Sequence, residues 1–294
     1  MTVKILQFGT TGQLATELTR QAATHDVALT ALSRADCDLA DPAACARAVA
    51  SHRPDLVIIA AAYTAVDLAE TERDLARTVN ALAPAAIAGA CQAAGAALVN
   101  VSTDYVFDGA GGAPYAEEAE PHPLNVYGAT KLEGERLVAA ACARSLSIRT
   151  TWVVSAHGKN FVKTMLRVAA AGNPLKVVDD QSGRPTSAGD LAGFILGQAP
   201  RLAAAKTGDP AFGLLHFANS GEVTWKGFAE AIFAEALGDK APVVGGQKTA
   251  DYVTPARRPL RATMDLGRLQ AVFGVTPRPW QAALSEILAK LKAG

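Results

Sequence analysis

The sequence predicts an α/β fold, a doubly wound parallel sheet with a smaller C-terminal α/β lobe. Short apolar runs, such as Leu56–Ala60 and Ala96–Ser102, alternate with stretches of helical periodicity, which is the order typical of βαβ units. These runs show little polar alternation, which indicates parallel strands buried on both faces. A glycine-rich turn joins the first apolar run to the first helical stretch. Because ligands bind such sheets at the carboxyl ends of the strands, the residues just after each run are the functional candidates.

Composition narrows the functional classes. The 294 residues include 28 basic and 28 acidic ones, so the net charge of zero gives no electrostatic reason to expect nucleic acid or an anionic membrane as a partner. The four cysteines form no C-x-x-C pair, so we expect neither a disulfide nor a zinc site. No apolar run approaches the roughly 20 residues of a membrane span, and no signal-peptide pattern is present. A cytoplasmic location is expected.

The first strand and helix form a candidate nucleotide site. Val3–Phe8 is a short apolar strand, and the spacing Gly9-x-x-Gly12-x-x-Ala15 leads from it into a helix predicted over about Gln13–Ala23. Such glycines let a pyrophosphate approach the backbone and lie at the positive end of the helix. Ala15 stands at the third glycine position, which mainly serves helix–strand packing. An ordinary strand–helix turn is the alternative interpretation.

The end of the second strand bears on the choice of cofactor. Asp26–Leu32 ends at Ser33-Arg34, and no acidic residue stands at the strand end to bind the ribose 2′-hydroxyl of NAD. A small hydroxyl followed by a guanidinium suits a 2′-phosphate, so the sequence favours NADPH over NADH, although a solvated arginine is the alternative. Asp38 could accept a hydrogen bond from the adenine amino group or cap a turn. A helix is predicted to begin at Asp41-Pro42.

Small residues follow the third strand. Ala62 and its neighbours come directly after Leu56–Ala60, where a nicotinamide ribose could lie against the backbone. Helices are predicted over Asp67–Asn80 and Pro84–Ala94, before the strand at Ala96–Ser102. Three residues that follow strand ends should therefore meet along one edge of the sheet: Gly9, Ala62 and Thr103.

The stretch from 101 to 131 contains the candidate catalytic groups. Asn125 is a plausible N-cap of a helix on which Tyr127 and Lys131, four residues apart, share a face. A cation within about 4–6 Å favours phenolate and would lower the tyrosine pKa. Thr103 could direct a hydroxyl at the same substrate oxygen. An exposed amphipathic turn is the alternative for the isolated Tyr-x-x-x-Lys spacing, and the glycine turn at the start of the chain favours the catalytic interpretation.

The second half of the chain is less regular. Helices are predicted at Asn160–Ala171, Ser187–Ala199, Thr224–Leu237 and Trp280–Lys292, and strands at Ser147–Thr151, Leu175–Asp179 and Leu214–Ala218. Phe228, Ile232 and Phe233 should face inward. We interpret residues 1–151, with returning segments near 187–218, as a Rossmann cofactor-binding domain. Residues 152–186 and 219–294 would form a substrate-binding lobe.

Two further sets of side chains could contact a substrate. Trp152 follows a strand end and could line a cavity or belong to the core. Arg257 and Arg258 lie in a loop and could clamp a diphosphate bidentately, or could simply be solvated.

Several motifs together resemble the extended short-chain dehydrogenase/reductase family. They are Gly9-x-x-Gly12, the run Ser102-Thr103-Asp104-Tyr105-Val106-Phe107-Asp108-Gly109, and Tyr127-x-x-x-Lys131. Within that family the chain is most similar to the dTDP-4-dehydrorhamnose reductases, through further stretches at 60–67, 123–128, 149–153, 160–165 and 254–259. The resemblance implies reduction of the 4-keto group of a dTDP-sugar, dTDP-4-dehydro-L-rhamnose, by NAD(P)H in the last step of dTDP-L-rhamnose synthesis.

The resemblance also assigns roles to residues. It implies that Tyr127 donates the proton to the C4 oxygen and that Lys131 binds the nicotinamide ribose and lowers the Tyr127 pKa. It further implies that Thr103 hydrogen-bonds the reacting oxygen, and that Asp104 and Trp152 contact the sugar nucleotide. The implied cofactor contacts are Gly12, Gln13 and Leu14 at the pyrophosphate, Asp38 and Leu39 at the adenosine, and Ala62, Tyr63 and Thr64 at the nicotinamide side.

Two positions depart from patterns within that family. Some members bind Mg²⁺ between subunits through three glutamates; Glu17 and Glu286 match two of them, but Gly189 stands at the third. This argues against a metal-bridged dimer and leaves a homodimer without metal open. Ser33-Arg34 replaces the aspartate that some members carry, which again favours NADPH.

Related enzymes and binding proteins are the competing interpretations. Sugar-nucleotide dehydratases carry a glutamate directly after Thr-Asp, where this chain has Tyr105, so the base for elimination is missing. Epimerases share the tyrosine and lysine and are excluded less firmly. A regulatory subunit that binds NADP without turnover is a third alternative, against which the intact Thr103, Tyr127 and Lys131 argue.

Overall fold

The computed structural model describes residues 2–172 and 175–293. A six-stranded parallel sheet forms the centre of the molecule, which confirms the predicted fold class. Its strands are β1 (Val3–Phe8), β2 (Val27–Leu32), β3 (Leu56–Ile59), β4 (Ala97–Thr103), β5 (Ser145–Thr150) and, later in the chain, β10 (Gly213–His216). Their order across the sheet is β10-β5-β4-β3-β1-β2. The chain reverses direction across the sheet between β1 and β3, which is where such folds bind ligands.

The remaining strands are short and pair outside the central sheet. They are β6 (Val153–Val154), β7 (Leu175–Val178), β8 (Ser182–Gly183), β9 (Thr186–Ser187), β11 (Val223–Thr224) and β12 (Val244–Gln247). The pairs are β6 with β9, β7 with β12 and β8 with β11.

Eleven helices are found within residues 2–172 and 175–293. They are α1 (Gln13–Ala22), α2 (Pro42–His52), α3 (Val66–Ala69), α4 (Arg73–Arg77), α5 (Ala83–Ala94), α6 (Val126–Ala141), α7 (Phe161–Ala170), α8 (Ala188–Ala204), α9 (Trp225–Leu237), α10 (Gly267–Phe273) and α11 (Trp280–Ala293). None of the helices in this part of the chain is long and apolar enough to cross a membrane.

The helices cover both faces of the sheet because successive strand residues point to opposite faces. Ile5 and Ile58 pack on one face with Leu18 of α1 and Ile195 of α8. Leu6, Val57 and Leu98 pack on the other face with side chains of α2, α5 and α6. A third cluster contains Phe228, Ile232 and Phe233 of α9 together with residues of α7 and α11, which confirms the predicted inward face of α9.

The predicted helix over Asp67–Asn80 is wrong. The segment forms α3 and α4 with a break between them, and a wider π-helical turn at Thr78–Leu82 joins α4 to α5. Asn80 in that turn is buried and binds the backbone of Tyr63, with its Oδ1 accepting from the N–H at 2.9 Å and its Nδ2 donating to the carbonyl at 3.1 Å. This long-range contact accompanies the local departure from α-helical geometry.

Helix α8 continues past the predicted end at Ala199. Pro200 lies inside it, and the helix extends to Ala204. Leu202 is buried in the core, and the Arg144 guanidinium donates to the Leu202 and Ala203 carbonyls at 3.2 and 2.7 Å. Burial and these bonds to the last carbonyls stabilise the end of a helix in which proline removes one backbone donor.

Candidate active site

Two adjoining cavities lie at the carboxyl edge of the sheet. The first, of about 450 Å³, is lined by residues that follow β1, β3, β4 and β5, and by Tyr127 and Lys131 of α6. The second, of about 650 Å³, extends toward the end of β2. Thr11, Ala61 and Ala62 line both cavities, so the two meet over the glycine turn.

The glycine turn has the geometry of an anion site. Gly9 has a φ of +103°, and a Cβ there would come 2.8 Å from the Ala61 Cβ. Gly12 is the N-cap of α1 and adds no side chain, so the first N–H groups of the helix have no side-chain cap. Gln7, which sequence reasoning missed, is buried beneath the turn, and its Nε2 donates to the Gly9 and Ala15 carbonyls at 2.8 and 3.2 Å. Uncapped N–H groups at the positive end of a helix favour a phosphate.

The three candidate catalytic residues line the first cavity together. Thr103 ends β4, and α6 begins just before Tyr127 because the Asn125 Oδ1 accepts from the Gly128 N–H at 2.8 Å, as predicted for an N-cap. Gly128 packs directly against the Tyr105 carbonyl, where a Cβ would overlap it. This close approach brings the start of α6 against the end of β4.

Burial controls the electrostatics of the tyrosine and lysine. It raises the pKa of Tyr127 above the ordinary value, and a hydrogen bond with Thr103 acts in the opposite direction. It lowers the pKa of Lys131 to about 8, and the Glu135 carboxylate acts in the opposite direction. The raised Tyr127 pKa corrects the sequence-based expectation that Lys131 lowers it, because loss of water around the phenol outweighs the favourable contacts. The Tyr127 phenol therefore keeps its proton at neutral pH.

Asp104 is a buried carboxylate in the same cavity. Thr103 Oγ1 donates to its Oδ1 at 3.1 Å, and Thr151 Oγ1 donates to its Oδ2 at 2.6 Å. Burial raises the pKa of Asp104 to about 6, while these hydroxyl bonds act in the opposite direction. Asp104 is thus held between two threonines at the ends of neighbouring strands.

A buried ion pair behind the cavity was missed by the sequence analysis. Glu135 of α6 and Arg149 of β5 are 3% and 2% exposed, and the guanidinium donates to the carboxylate through Nε at 2.9 Å and Nη2 at 2.7 Å. Ser102 donates a further hydrogen bond to Glu135. Glu135 follows Lys131 by one helical turn, and no short sequence motif links it to Arg149.

The second cavity contains the predicted adenosine-end residues Ser33, Arg34, Asp38 and Leu39, together with Gly9. Arg34 is 82% exposed, and its Nε lies 3.0 Å from the Asp38 Oδ2. Asp38 also accepts from the Ala40 N–H at 2.9 Å, so it caps a turn. Asp36, which sequence reasoning overlooked, accepts from the Ser33 N–H at 2.9 Å and from its hydroxyl at 2.6 Å.

The predicted nicotinamide-side residues are divided between the cavities. Ala62 lines both, Thr64 lines the first and Tyr63 lines the second. The Tyr63 hydroxyl donates to Glu72 at 2.7 Å. Asn80, which holds the Tyr63 backbone, also donates to Thr130 Oγ1 at 3.2 Å and so connects this segment to α6. Gln13 and Leu14 line the first cavity with Gly12.

Trp152 combines the two roles that the sequence left open. It lines the first cavity and also stacks on Trp225, with ring centroids 3.4 Å apart and planes 10° apart. Its φ of +44° is unusual for a residue other than glycine. The backbone here turns out of β5 so that the indole reaches the α9 side of the cavity.

Arg257 and Arg258, which were predicted to clamp a diphosphate, have other contacts in this structure. Neither residue lines either cavity. The Arg258 Nη2 lies 2.8 Å from the Asp67 Oδ2, so this guanidinium already has a partner. Arg257 is exposed, and its carbonyl accepts from the Asn125 Nδ2 at 2.7 Å. The Arg258 side chain and the Arg257 carbonyl therefore fasten the loop to α3 and to the start of α6.

Comparison with known proteins gives a consistent result across the whole chain. The family model described as RmlD substrate binding domain matches residues 3–293. The dTDP-4-dehydrorhamnose reductase of Escherichia coli (strain K12) is 40% identical over 296 residues, covering 98% of each chain. The chain belongs to the dTDP-4-dehydrorhamnose reductase family.

Solved structures agree with this membership. A dTDP-4-dehydrorhamnose reductase from Clostridium acetobutylicum superposes with a TM-score of 0.91 at 35% identity, covering 98% of this chain and 99% of that one. The dTDP-4-dehydrorhamnose reductase from Bacillus anthracis, in complex with NADP, also gives 0.91, at 32% identity and coverage of 99% and 100%.

The glutamates that match the metal site of some family members have other partners here. Glu17 accepts from Arg20 at 2.7 Å, and Glu286 accepts from Arg278 at 2.7 Å and from Lys290 at 2.6 Å. Over residues 2–172 and 175–293, no group of three or more His, Cys, Asp or Glu side chains could hold a metal ion.

Proposed function

We propose that this protein reduces the C4 keto group of dTDP-4-dehydro-β-L-rhamnose with NADPH to give dTDP-L-rhamnose, the last step of dTDP-rhamnose synthesis. The observation that carries the proposal is the meeting of Thr103, Tyr127 and Lys131 in a cavity that continues over the glycine turn. A proton donor, a cation and a phosphate site along one sheet edge are what a nicotinamide-dependent carbonyl reduction requires. The similar proteins are named dTDP-4-dehydrorhamnose reductase, which supports the choice of substrate.

The two cavities fit a nicotinamide dinucleotide. The uncapped start of α1, with Gly12, Gln13 and Leu14, would hold the pyrophosphate. Ser33, Arg34, Asp38 and Leu39 would hold the adenosine end in the second cavity, with Gly9 beneath, and Ala62, Tyr63 and Thr64 would flank the nicotinamide half. Arg34, with its exposed guanidinium, supports NADPH as the preferred cofactor, with NADH as the weaker one. When bound, the cofactor supplies the hydride that C4 receives.

The chain's own residues supply the proton. Tyr127 stays protonated because burial raises its pKa, so it can donate its phenolic proton to the C4 oxygen as negative charge develops there. The Lys131 ammonium stabilises that charge and the phenolate left behind, and Thr103 offers a hydroxyl to the same oxygen. The carbonyl thus gains one hydride at carbon and one proton at oxygen.

The substrate would lie in the first cavity, against Asp104 and Trp152. Asp104, held by two threonine hydroxyls, can accept from sugar hydroxyls, and Trp152 offers an aromatic face. We infer that residues 1–151 and 187–218 bind the cofactor and that residues 152–186 and 219–294 bind the dTDP-sugar. We also propose that the protein works in the cytoplasm, and a homodimer is compatible with this function.

The experiment is NADPH oxidation by the purified protein, with dTDP-4-dehydro-L-rhamnose generated in place by the preceding enzymes. We expect loss of reduced-nicotinamide absorbance, matched by a dTDP-L-rhamnose peak. Tyr127→Phe should lower kcat by about 10²–10⁴ and leave NADPH binding intact. Tight NADPH binding without any oxidation would overturn the assignment of this substrate, in favour of another keto sugar first and of a binding subunit second. Near-normal turnover by Tyr127→Phe would mean that the proton donor is misassigned.

A further inference from the structure

A turn between β6 and α7 lies directly over the start of α1. Gly158 in this turn has a φ of +65°, and a Cβ there would come 3.2 Å from the Gln13 Cγ and 3.8 Å from the Gln13 backbone N. The Gln13 side chain also donates to the Val153 carbonyl at 3.1 Å. The next residue, Lys159, lines the first cavity together with Gly12 and Gln13 at the start of α1.

The backbone of this turn is held by its own hydrogen bonds. The Asn160 Nδ2 donates to the Ser155 carbonyl at 2.7 Å and to the His157 carbonyl at 3.2 Å. The Asn160 Oδ1 caps α7 by accepting from the Lys163 N–H at 3.1 Å. Lys159 thus extends from a fixed backbone position, while its side chain is exposed in the open cavity.

The charges around the cavity leave a diphosphate without a full counter-charge unless Lys159 supplies it. Among the described residues that line the first cavity, the cations are Lys131 and Lys159, and the carboxylate is Asp104. Lys131 is buried on α6 beside Tyr127. The start of α1 provides only about half a positive charge. Lys159 forms no ion pair with any residue in 2–172 or 175–293, so its ammonium is available to a ligand.

We propose that Lys159 binds the diphosphate of the nicotinamide dinucleotide, on the opposite side from the N–H groups of α1. This rests on the proposed function, because it takes the dinucleotide to lie across the glycine turn. The sugar nucleotide is the other source of a diphosphate in this cavity. The cofactor is the better match because Gly158 packs on Gln13, the first residue of the helix that faces the cofactor phosphates. Sequence reasoning missed Lys159 because it belongs to no motif.

The test compares binding of NADPH, NADH and dTDP to the full-length protein at fixed ionic strength. Lys159→Ala should weaken NADPH and NADH about equally, by about tenfold, because both contain the diphosphate. The dTDP affinity should change by less than about twofold, and Lys159→Arg should retain most of the dinucleotide affinity. Lys206→Ala is the matched control, since it removes the same charge from an exposed position outside both cavities.

Other results for the variants would overturn the proposal. Unchanged dinucleotide affinity in Lys159→Ala would show that Lys159 does not bind the dinucleotide diphosphate. A loss of affinity confined to dTDP would assign Lys159 to the sugar nucleotide. An equal loss of dinucleotide affinity in Lys206→Ala would show that the effect comes from the change in overall charge. A wild-type protein that binds NADPH but does not turn over would contradict the proposed function alone. Turnover with an unaffected Lys159→Ala variant would contradict this inference alone.

Discussion

The Glu135 carboxylate is expected to set the upper pH limit of activity through Lys131. Burial lowers the pKa of Lys131 to about 8, and Glu135 partly offsets this shift. Turnover that needs the Lys131 ammonium should therefore decline as the pH rises through about 8. Glu135→Gln keeps the size of the side chain and removes its charge. The alkaline limb of the pH profile should then move to lower pH.

The magnitude follows from the helical spacing. Residues four apart on a helix have Cβ atoms about 6 Å apart, which at an effective dielectric constant of about 20 gives about 3 kcal/mol, or about 2 pH units. The Arg149 guanidinium pairs with the same carboxylate and offsets part of its effect on Lys131. We therefore expect the limb to move by about one pH unit. Arg149 would lose its buried partner, so the free energy of unfolding should fall by about 3 kcal/mol.

The assay is kcat/KM for the keto sugar from pH 6 to 10, with urea denaturation of each variant. Ser102→Ala is the control, because it removes a hydrogen bond to the same Glu135 carboxylate without changing a charge. That variant should lose stability and keep its alkaline limb. An unchanged limb in a folded Glu135→Gln protein would refute the electrostatic argument. An equal movement in Ser102→Ala would show that the effect comes from structural disturbance.

Three further results are expected. Arg34→Ala should weaken NADPH binding by about fivefold and leave NADH binding unchanged in titrations, because in the proposed function the exposed guanidinium pairs with the 2′-phosphate that NADH lacks. Equal losses for both cofactors would contradict this. Gly128→Ala should lower the free energy of unfolding, measured in urea, by about 2 kcal/mol, because the added Cβ overlaps the Tyr105 carbonyl. Helix propensity alone predicts a gain of about 1 kcal/mol, so a stabilised variant would contradict the packing. Asp104→Asn should abolish any decline of kcat/KM below pH 6, because the Asp104 carboxyl, whose pKa is raised to about 6, is the group that takes up a proton there. If the decline persists in the variant, another group causes it.

Local sequence patterns predicted the central sheet and the start of α6 well. Buried parallel strands appear as apolar runs, and Leu56–Ile59 was recognised in this way. Asn125 at the start of a helical stretch indicates an N-cap, and the N–H that its side chain binds is only three residues away. Both features depend on interactions within a short segment, which the sequence displays directly.

Interactions between distant segments could not be predicted in the same way. Arg258 pairs with Asp67, 191 positions earlier, and no local pattern in the sequence indicates this partner. The Asn80 side chain binds the Tyr63 backbone, which accompanies the break in the predicted helix. Burial reverses the expected direction of the Tyr127 pKa shift, and burial depends on the packing of the whole fold.

In the proposed mechanism, burial and the nearby charges assign the acid and the cation to two different residues. Tyr127 keeps its proton because burial opposes the phenolate, whereas Lys131 keeps its charge near neutral pH because Glu135 opposes the same burial. Arg149 then holds Glu135 in place through two charged hydrogen bonds. Without the Glu135 carboxylate, Lys131 would lack this offset, so its ammonium would give up its proton at lower pH. Glu135 and Arg149 are therefore expected to support the proposed proton transfer, because they keep Lys131 charged at a pH where Tyr127 stays neutral.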